Sequence, residues 1–229
     1  MKAICVVPKF DEPTEYSSKW NEKLRTSIGG QGEFILLLMA DAIRENAEES
    51  LKNNPDVMLI HYDHGNEDRL IGQDRRAVVD LVNVALLKDR EVYNMNCLSA
   101  KTLGKAAYKD GCRAYWGYIR EVAFTTDVEE DFCEAFNYGL LLRVQGKSWK
   151  ECLELTKEKM TQIIEDLVKR GNVIGAMCLV QDRDALRCWE KDTEIPTEPC
   201  PVSRAIANLF GYRVLTKLRR FRDKLKAVG

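Results

Sequence analysis

The sequence predicts an α/β protein, a three-layer α/β/α sandwich around about six mostly parallel strands. The prediction rests on two patterns that alternate along the chain. Short apolar runs rich in β-branched and aromatic residues are followed by longer segments with apolar residues every three or four positions. This strand–helix alternation favours parallel pairing with right-handed crossovers and helices on both faces of the sheet. One antiparallel strand is expected at an edge.

The first half of the chain predicts three buried strands separated by helices. The strands are expected at residues 3–7, 57–62 and 92–95, and the helices at 33–51, 74–87 and 99–109. Residues 9–32 are largely polar and contain three glycines. They predict a long surface loop, which is a candidate control element.

The second half predicts a fourth strand at residues 113–118 and then two amphipathic helices that end before Gly146 and Gly171. Residues 173–180 and 185–189 flank a polar turn and predict a hairpin. Residues 1–190 are therefore expected to form one domain. Residues 191–229 are expected to form a proline-rich link and a basic C-terminal helix, a candidate docking element for a regulatory protein partner.

Composition excludes several classes of protein. A net charge of −1 over 229 residues argues against specific nucleic-acid binding, and no apolar run is long enough to span a membrane. The N-terminus lacks the apolar stretch of a signal peptide. Eight cysteines occur without Cys-x-x-Cys spacing, which predicts reduced thiols in a cytoplasmic protein with no structural metal and no cofactor.

A histidine and a cysteine follow neighbouring predicted strands. His64-Gly65 closes the run that begins at residue 57, and Asn96-Cys97 closes the next. Because the carboxyl ends of parallel strands meet at one edge of a sheet, we expect His64 and Cys97 to lie close together. A cysteine nucleophile needs at least a thiol and an imidazole that serves as its acid/base partner.

Acyl transfer through a thioester also needs hydrogen-bond donors for the developing oxyanion. The backbone N–H groups of Gly65 and Cys97 are the candidates in this sequence. The predicted helix start near Ser99 is expected to favour negative charge at the thiol as well.

The sequence resembles the caspase-like cysteine peptidases, the clan that contains caspases, separase, gingipains, clostripain and the CHAT proteases. The resemblance is carried by His64-Gly65 and by Asn96-Cys97-Leu98-Ser99, followed by Gly104, Gly111 and the strand at 113–118. It implies a caspase-like fold and an endopeptidase that cleaves a protein or peptide substrate. His64 and Cys97 would be its dyad, the Gly65 and Cys97 amides its oxyanion hole, and His64 would mainly serve the leaving group.

One position departs from part of that clan. Clostripain-like and separase-like members carry an acidic residue two positions before the nucleophile, where it reads a basic side chain, and this chain has Met95 there. Met95 and Asp63 are the candidate substrate-pocket residues. A preference for a basic side chain would need Asp63, Asp68 or Asp127 to supply the charge.

Other interpretations remain open from the sequence. His61, the second of only two histidines, is expected to be a buried or rim residue rather than a catalyst. The whole domain could be a non-catalytic binding or scaffold module that only retains the peptidase residues. A small-molecule hydrolase or acyltransferase with the same dyad is a third interpretation, because a fold does not fix a substrate.

Overall fold

A six-stranded sheet forms the centre of the protein in the computed structural model, which describes residues 1–190. Its strands, in spatial order, are β2 (Glu33–Leu38), β1 (Lys2–Val7), β3 (Met58–Tyr62), β7 (Glu91–Met95), β8 (Ala114–Tyr118) and β9 (Leu186–Glu190). The first five pair in parallel, and β9 runs antiparallel to β8 at the edge. The predicted α/β/α sandwich with an antiparallel edge strand is confirmed.

Six α-helices complete the layers. They are α1 (Glu12–Ile28), α2 (Arg44–Asn53), α3 (Leu103–Lys109), α4 (Glu129–Val144), α5 (Trp149–Lys169) and α6 (Val173–Ala185). Helices α1, α4 and α5 share the main apolar core with one face of the sheet. Helices α2 and α3 contact β1, β2, β8 and β9.

Aromatic side chains fill the main core beneath the central strands. Tyr93 of β7 stacks on Trp116 of β8 with ring centroids 5.3 Å apart, and Trp149 of α5 lies 5.7 Å from Trp116. The Tyr62 hydroxyl donates to Asn137 Oδ1 at 2.7 Å, which satisfies a polar group that burial would otherwise leave unpaired. The two strands that precede His64 and Cys97 are therefore anchored in a tightly packed interior.

The prediction of a surface loop at residues 9–32 is wrong, because most of it is α1. Asp11 and Thr14 form a capping box at its start, and Pro13 stands in its first turn. The helix buries Trp20, Leu24 and Ile28 at four-residue spacing, but polar residues surround this thin apolar stripe. A segment so deeply packed is not a loop that could act as a control element.

The predicted helix at residues 33–51 is two elements. Residues 33–38 form β2, which pairs in parallel with β1, and the helix α2 begins only at Arg44. A short apolar run such as Phe34 to Leu38 fits a strand or a buried helix equally well, so its periodicity does not decide between them.

A second, three-stranded antiparallel sheet lies between β3 and β7 in the chain. It comprises β4 (Gly65–Asn66), β5 (Arg69–Ile71) and β6 (Ala77–Asp80). The predicted helix at residues 74–87 is therefore wrong. Asp80 Oδ1 accepts hydrogen bonds from the backbone N–H groups of Val82 and Asn83, and this turn ends β6 before a short 3₁₀ segment at Val84–Leu87.

The predicted hairpin over residues 173–189 is also wrong in its first arm. Residues 173–185 form α6, whose N-cap Asn172 accepts from the Gly175 backbone N–H at 2.9 Å. The polar residues 181–184, predicted as the turn, lie in the last turns of this helix. Only the second arm, β9, is a strand.

No helix within residues 1–190 is long and apolar enough to cross a membrane. The predicted proline-rich link and basic helix at residues 191–229, with the regulatory partner proposed for them, lie outside the described residues.

Candidate active site

The structure brings His64 and Cys97 to one edge of the sheet, as the sequence predicts. Strands β3 and β7 are parallel neighbours, with Tyr62 opposite Met95. The pairing continues one step beyond the strands, since the Asp63 backbone N–H donates to the Met95 carbonyl at 3.3 Å. His64 and Cys97 then line the same cavity of about 410 Å³.

The cavity is bounded by four segments of the chain. The start of α1, the ends of β3 and β7, and the extended residues after β8 contribute its walls, which include Tyr16, Asp63, Met95, Val122 and Phe124 beside the His–Cys pair. Most of this lining is apolar. A volume of this size suits one or two amino-acid side chains of a bound peptide.

His64 is oriented by a residue that sequence reasoning missed. Its Nε2 atom lies 3.0 Å from Asp11 Oδ2, and the Phe10 ring packs at 5.7 Å from the imidazole. The Asp11 side chain is itself fixed in position, because its Oδ1 accepts a hydrogen bond from the Thr14 backbone N–H at the start of α1. With Nε2 bound to Asp11, Nδ1 is the nitrogen left for a substrate or a thiol.

The surroundings of Asp11 favour its anionic form. Burial works to raise this pKa, but the Thr14 backbone N–H and the His64 ring outweigh it, so the pKa is lowered from its usual value. The capping-box pattern Asp11-x-x-Thr14 is the sequence signal that could have identified this residue.

With the endopeptidase activity that the resemblance implies, Asp11→Asn is expected to lower peptide turnover by roughly 10- to 100-fold, the scale of a misplaced catalytic group. Asparagine caps helices as well as aspartate does, so the stability of α1 should be retained. Steady-state kinetics with a thermal melt of the same variant checks this. Unchanged turnover in a folded Asp11→Asn would contradict a role for Asp11 in orienting His64.

Cys97 is held by the backbone that follows β8. Its Sγ accepts from the Val122 N–H at 3.3 Å. Burial raises the pKa of the thiol, the Val122 N–H lowers it, and the nearby Glu121 and Asp182 raise it further, for a net increase. Within the described chain Cys97 makes no hydrogen bond to His64. The resting side chain is therefore a thiol rather than half of an ion pair.

A strained turn presents Cys97 to the cavity. Leu98 has a φ of 61°, a left-handed conformation that a leucine rarely adopts. The turn is fastened to the end of β8, because Leu98 N–H donates to the Arg120 carbonyl and Ala100 N–H to the Tyr118 carbonyl, both at 3.1 Å.

The expected helix start near Ser99 is wrong, since α3 begins at Leu103. Residues 98–101 form a turn instead, closed by the Lys101 N–H on the Leu98 carbonyl at 2.8 Å. The helix that follows Cys97 in the chain therefore does not begin at the thiol, and the predicted contribution of its dipole at Cys97 is wrong.

Two backbone N–H groups remain available for an oxyanion. Gly65 pairs with Leu70, and the Ile71 N–H donates to the His64 carbonyl. This places Gly65 at a non-hydrogen-bonded pair, whose N–H points away from β5. The Cys97 N–H has no backbone acceptor within residues 1–190. The predicted oxyanion-hole donors are thus free of competing backbone pairing.

Gly65 is also required by close packing. A Cβ atom at this position would lie 2.9 Å from both Asn96 Oδ1 and the Cys97 carbonyl oxygen. Contacts this short exclude any side chain, so only glycine allows the hairpin after His64 to approach the turn that carries Cys97.

His61 is a buried structural residue, as predicted. It is 0% exposed, and burial lowers its pKa to about 4, against an opposing hydrogen bond to Ile71. A carbonyl oxygen only accepts, so Nε2 donates to the Ile71 carbonyl at 2.8 Å and Nδ1 accepts from Asn96 Nδ2 at 3.0 Å. The neutral His61 ring therefore links β5 of the three-stranded sheet to Asn96, the residue before Cys97.

Asp63 is a buried carboxyl that faces the cavity. It is 5% exposed, and neither of its oxygens has a hydrogen-bond partner among the described residues. Burial raises its pKa to about 8, with the nearby His64 backbone N–H opposing and Asp11 adding to the shift. Met95, the other predicted pocket residue, also lines the cavity and contributes an apolar wall.

The other two acids considered for the pocket are placed elsewhere. Asp68 pairs with Arg69 at 2.8 Å on the exposed hairpin. Asp127 accepts from Asn172 Nδ2 at 2.6 Å and lines a separate shallow pocket. Of these three acids, Asp63 is therefore the one that lines the cavity with His64 and Cys97.

Comparisons with known proteins give no match: no family model matches this chain, and no curated protein is significantly similar to it. The resemblance to caspase-like peptidases remains a prediction from short motifs.

Proposed function

We propose that this protein is a cysteine endopeptidase in which Cys97 is the nucleophile and His64 the acid/base. One observation carries the proposal. Two separate strand ends deliver a thiol and an imidazole to one cavity, with two unpaired backbone N–H groups beside them. Acyl transfer needs these four groups together.

The reaction follows from the positions of the groups. A peptide bound in the cavity fills the space between Cys97 and His64, and the thiol proton passes to His64 Nδ1 as sulfur attacks the carbonyl carbon. The oxyanion is held by the Gly65 and Cys97 N–H groups. His64 then gives the proton to the departing amine as the C–N bond breaks, and water hydrolyses the thioester to regenerate the thiol.

The cavity chemistry favours a substrate side chain with an apolar stem and a cationic end. Asp63 is the buried acid, Glu12 adds a second carboxylate at the rim, and no lysine or arginine lines the cavity. Tyr16 and Phe124 supply aromatic walls on either side of the space. A lysine or arginine side chain would displace the proton of Asp63 and pair the carboxylate that the free protein leaves unpaired.

Asp63→Asn is expected to lower kcat/KM for peptides with a basic side chain at the cleavage site by roughly 10- to 100-fold, the scale of a lost charge-assisted hydrogen bond. In the wild type the KM for these peptides should fall as pH rises towards about 8, where Asp63 ionises. Kinetics on matched Arg and norleucine peptides checks both effects. An Asp63→Asn variant with an undiminished preference for Arg would contradict this specificity.

Stability gives an independent readout of Asp63. Its folded-state pKa of about 8 lies above that of an unfolded carboxyl. The folded chain therefore holds this proton more tightly, and Asp63 lowers stability progressively between about pH 4 and pH 8. The melting temperature of Asp63→Asn relative to wild type should rise from pH 5 to pH 8.5, whatever the substrate.

A non-catalytic binding module is the second candidate function. The raised pKa of Cys97 and its lack of a hydrogen bond to His64 favour it, because a resting thiol is a poor nucleophile. Digestion of a peptide library by the purified chain separates the two. Reproducible cleavage supports the peptidase, whereas peptides that bind the cavity and are recovered intact support the module.

A further inference from the structure

A second buried acid lies on the opposite side of the segment that holds the thiol. Asp182 of α6 is 0% exposed, and its Oδ1 accepts from the Ala123 backbone N–H at 3.0 Å. Its Oδ2 is buried without a hydrogen-bond partner in the part of the chain that the structure describes. A buried carboxyl oxygen without a hydrogen bond lowers the stability of the fold. We therefore expect Asp182 to serve a function.

Residues 119–123 follow β8 and form hydrogen bonds on two sides. One side faces α6: Ile119 N–H donates to the Ala185 carbonyl at 3.0 Å, Gln181 Nε2 donates to the Glu121 carbonyl at 2.9 Å, and Ala123 N–H donates to Asp182. These contacts fall on alternate residues of the segment.

The other side of the 119–123 segment faces the Cys97 turn. The Arg120 carbonyl accepts from Leu98 N–H, and Val122 N–H donates to the Cys97 sulfur at 3.3 Å. Positions 119, 121 and 123 are thus bound to α6, and positions 120 and 122 are bound to the turn. The placement of the donor at the sulfur depends on the contacts with α6.

We propose that Asp182 is a positioning residue that holds the Val122 N–H against the Cys97 sulfur through the 119–123 segment and so stabilises the attacking thiolate. This inference rests on the proposed function for its catalytic meaning. Asp182 acts through Ala123 and Val122 and does not touch the substrate.

Burial favours the uncharged form of Asp182, which suits an acceptor placed near a thiolate. Burial raises its pKa well above the usual value, although the Ala123 N–H opposes the shift. The carboxyl accepts the Ala123 hydrogen bond in either form, and its ionised form is one of the groups that raise the Cys97 pKa. The position of its acceptor oxygen, and not its charge, is therefore what stabilises the thiolate. The other charged groups that face Cys97 are Glu121 in the segment and Glu12, Asp63 and His64 across the cavity.

The test is the pH dependence of Cys97 alkylation by iodoacetamide, followed by peptide mapping on the full chain. Asp182→Ala removes the acceptor, and the alkylation midpoint should rise by about one pH unit, which lowers the rate at neutral pH about 10-fold. Asp182→Asn keeps a neutral acceptor and should stay within about 3-fold of wild type. Asp184→Asn, an exposed change on the same helix, is the matched control and should leave the profile unchanged.

Gln181→Ala keeps the proposal falsifiable if Asp182→Ala does not fold. Gln181 is exposed, so its truncation leaves no cavity, and loss of its contact with Glu121 should raise the midpoint in the same direction by a smaller amount. A folded Gln181→Ala and a folded Asp182→Ala that both retain the wild-type profile would overturn the proposal. So would a shift in Asp182→Asn as large as that in Asp182→Ala.

Alkylation does not require peptide cleavage, which separates this inference from the proposed function. A shifted profile in a chain that cleaves no peptide would contradict the peptidase and support the coupling of Asp182 to the thiol. An unshifted profile in a chain that cleaves peptides would support the peptidase and contradict the coupling of Asp182 to the thiol.

Discussion

Replacing Cys97 with Ala is expected to lower peptide cleavage by about 10⁴-fold or more, because loss of a nucleophile removes the covalent route entirely. The melting temperature should remain close to that of the wild type. Cys97 is only partly buried, at a turn rather than in the core, so its truncation leaves little unfilled space. The measurement is the rate on the best substrate of a peptide-library digest, followed by mass spectrometry.

Cys178→Ser is the matched control for this variant. Of the seven described cysteines, Cys97 and Cys178 are partly exposed and the other five are buried. Cys178 does not line the cavity, so its replacement should leave the rate unchanged. Cleavage at the wild-type rate by Cys97→Ala would contradict the assignment of the nucleophile.

Replacing His64 with Ala is expected to lower peptide hydrolysis by about 10²-fold or more, the usual contribution of a general acid. An activated ester should be affected less, because its leaving group departs without a proton. The structure supports this difference, since His64 is bound to Asp11 and not to the thiol in the free protein. Parallel kinetics on a peptide and on an ester with the same acyl group provides the comparison.

Asp68→Asn is a suitable control for the histidine variant. Asp68 lies on the same hairpin and pairs with Arg69 at the surface, so both substrates should react at wild-type rates. Equal losses on peptide and ester in His64→Ala would contradict a dominant leaving-group role and would indicate that proton transfer from the thiol to His64 limits both reactions.

The central strands were predictable from the sequence because each is buried on both faces. Every residue of β3 and of β8 is buried, and apart from His61 in β3 these strands are runs of apolar and aromatic residues. The position of the site can be predicted from the same buried strands. Once β3 and β7 are parallel neighbours, the residues after them must meet at one edge, which fixes His64, Gly65 and Cys97 without further information.

The elements that complete the site were not predictable by apolar periodicity. Helix α1 packs with Ser17 and Asn21 buried beside Trp20, so its inward face is partly polar and does not stand out in the sequence. Asp11, which orients His64, lies at the start of this helix. Its capping box was a usable signal, but only for a reader who already suspected a helix there.

Long-range contacts explain the remaining errors. Residues 173–185 contain Val173, Ile174 and Val180, which favour strands, yet they form α6 because its buried side packs against α5. Asp182 therefore has no visible role in the sequence. Its importance depends on the Ala123 hydrogen bond, which joins residues 59 positions apart.

The most direct measurement of the central claim is covalent labelling by a peptide electrophile. A peptidyl acyloxymethyl ketone with arginine next to the reactive carbonyl should occupy the cavity and alkylate the attacking sulfur. We expect one adduct per chain, mapped to Cys97, formed much faster than with iodoacetamide and slowed in Asp63→Asn. Labelling spread over several cysteines, or no faster at Cys97 than with iodoacetamide, would contradict a peptidase active site built from His64 and Cys97.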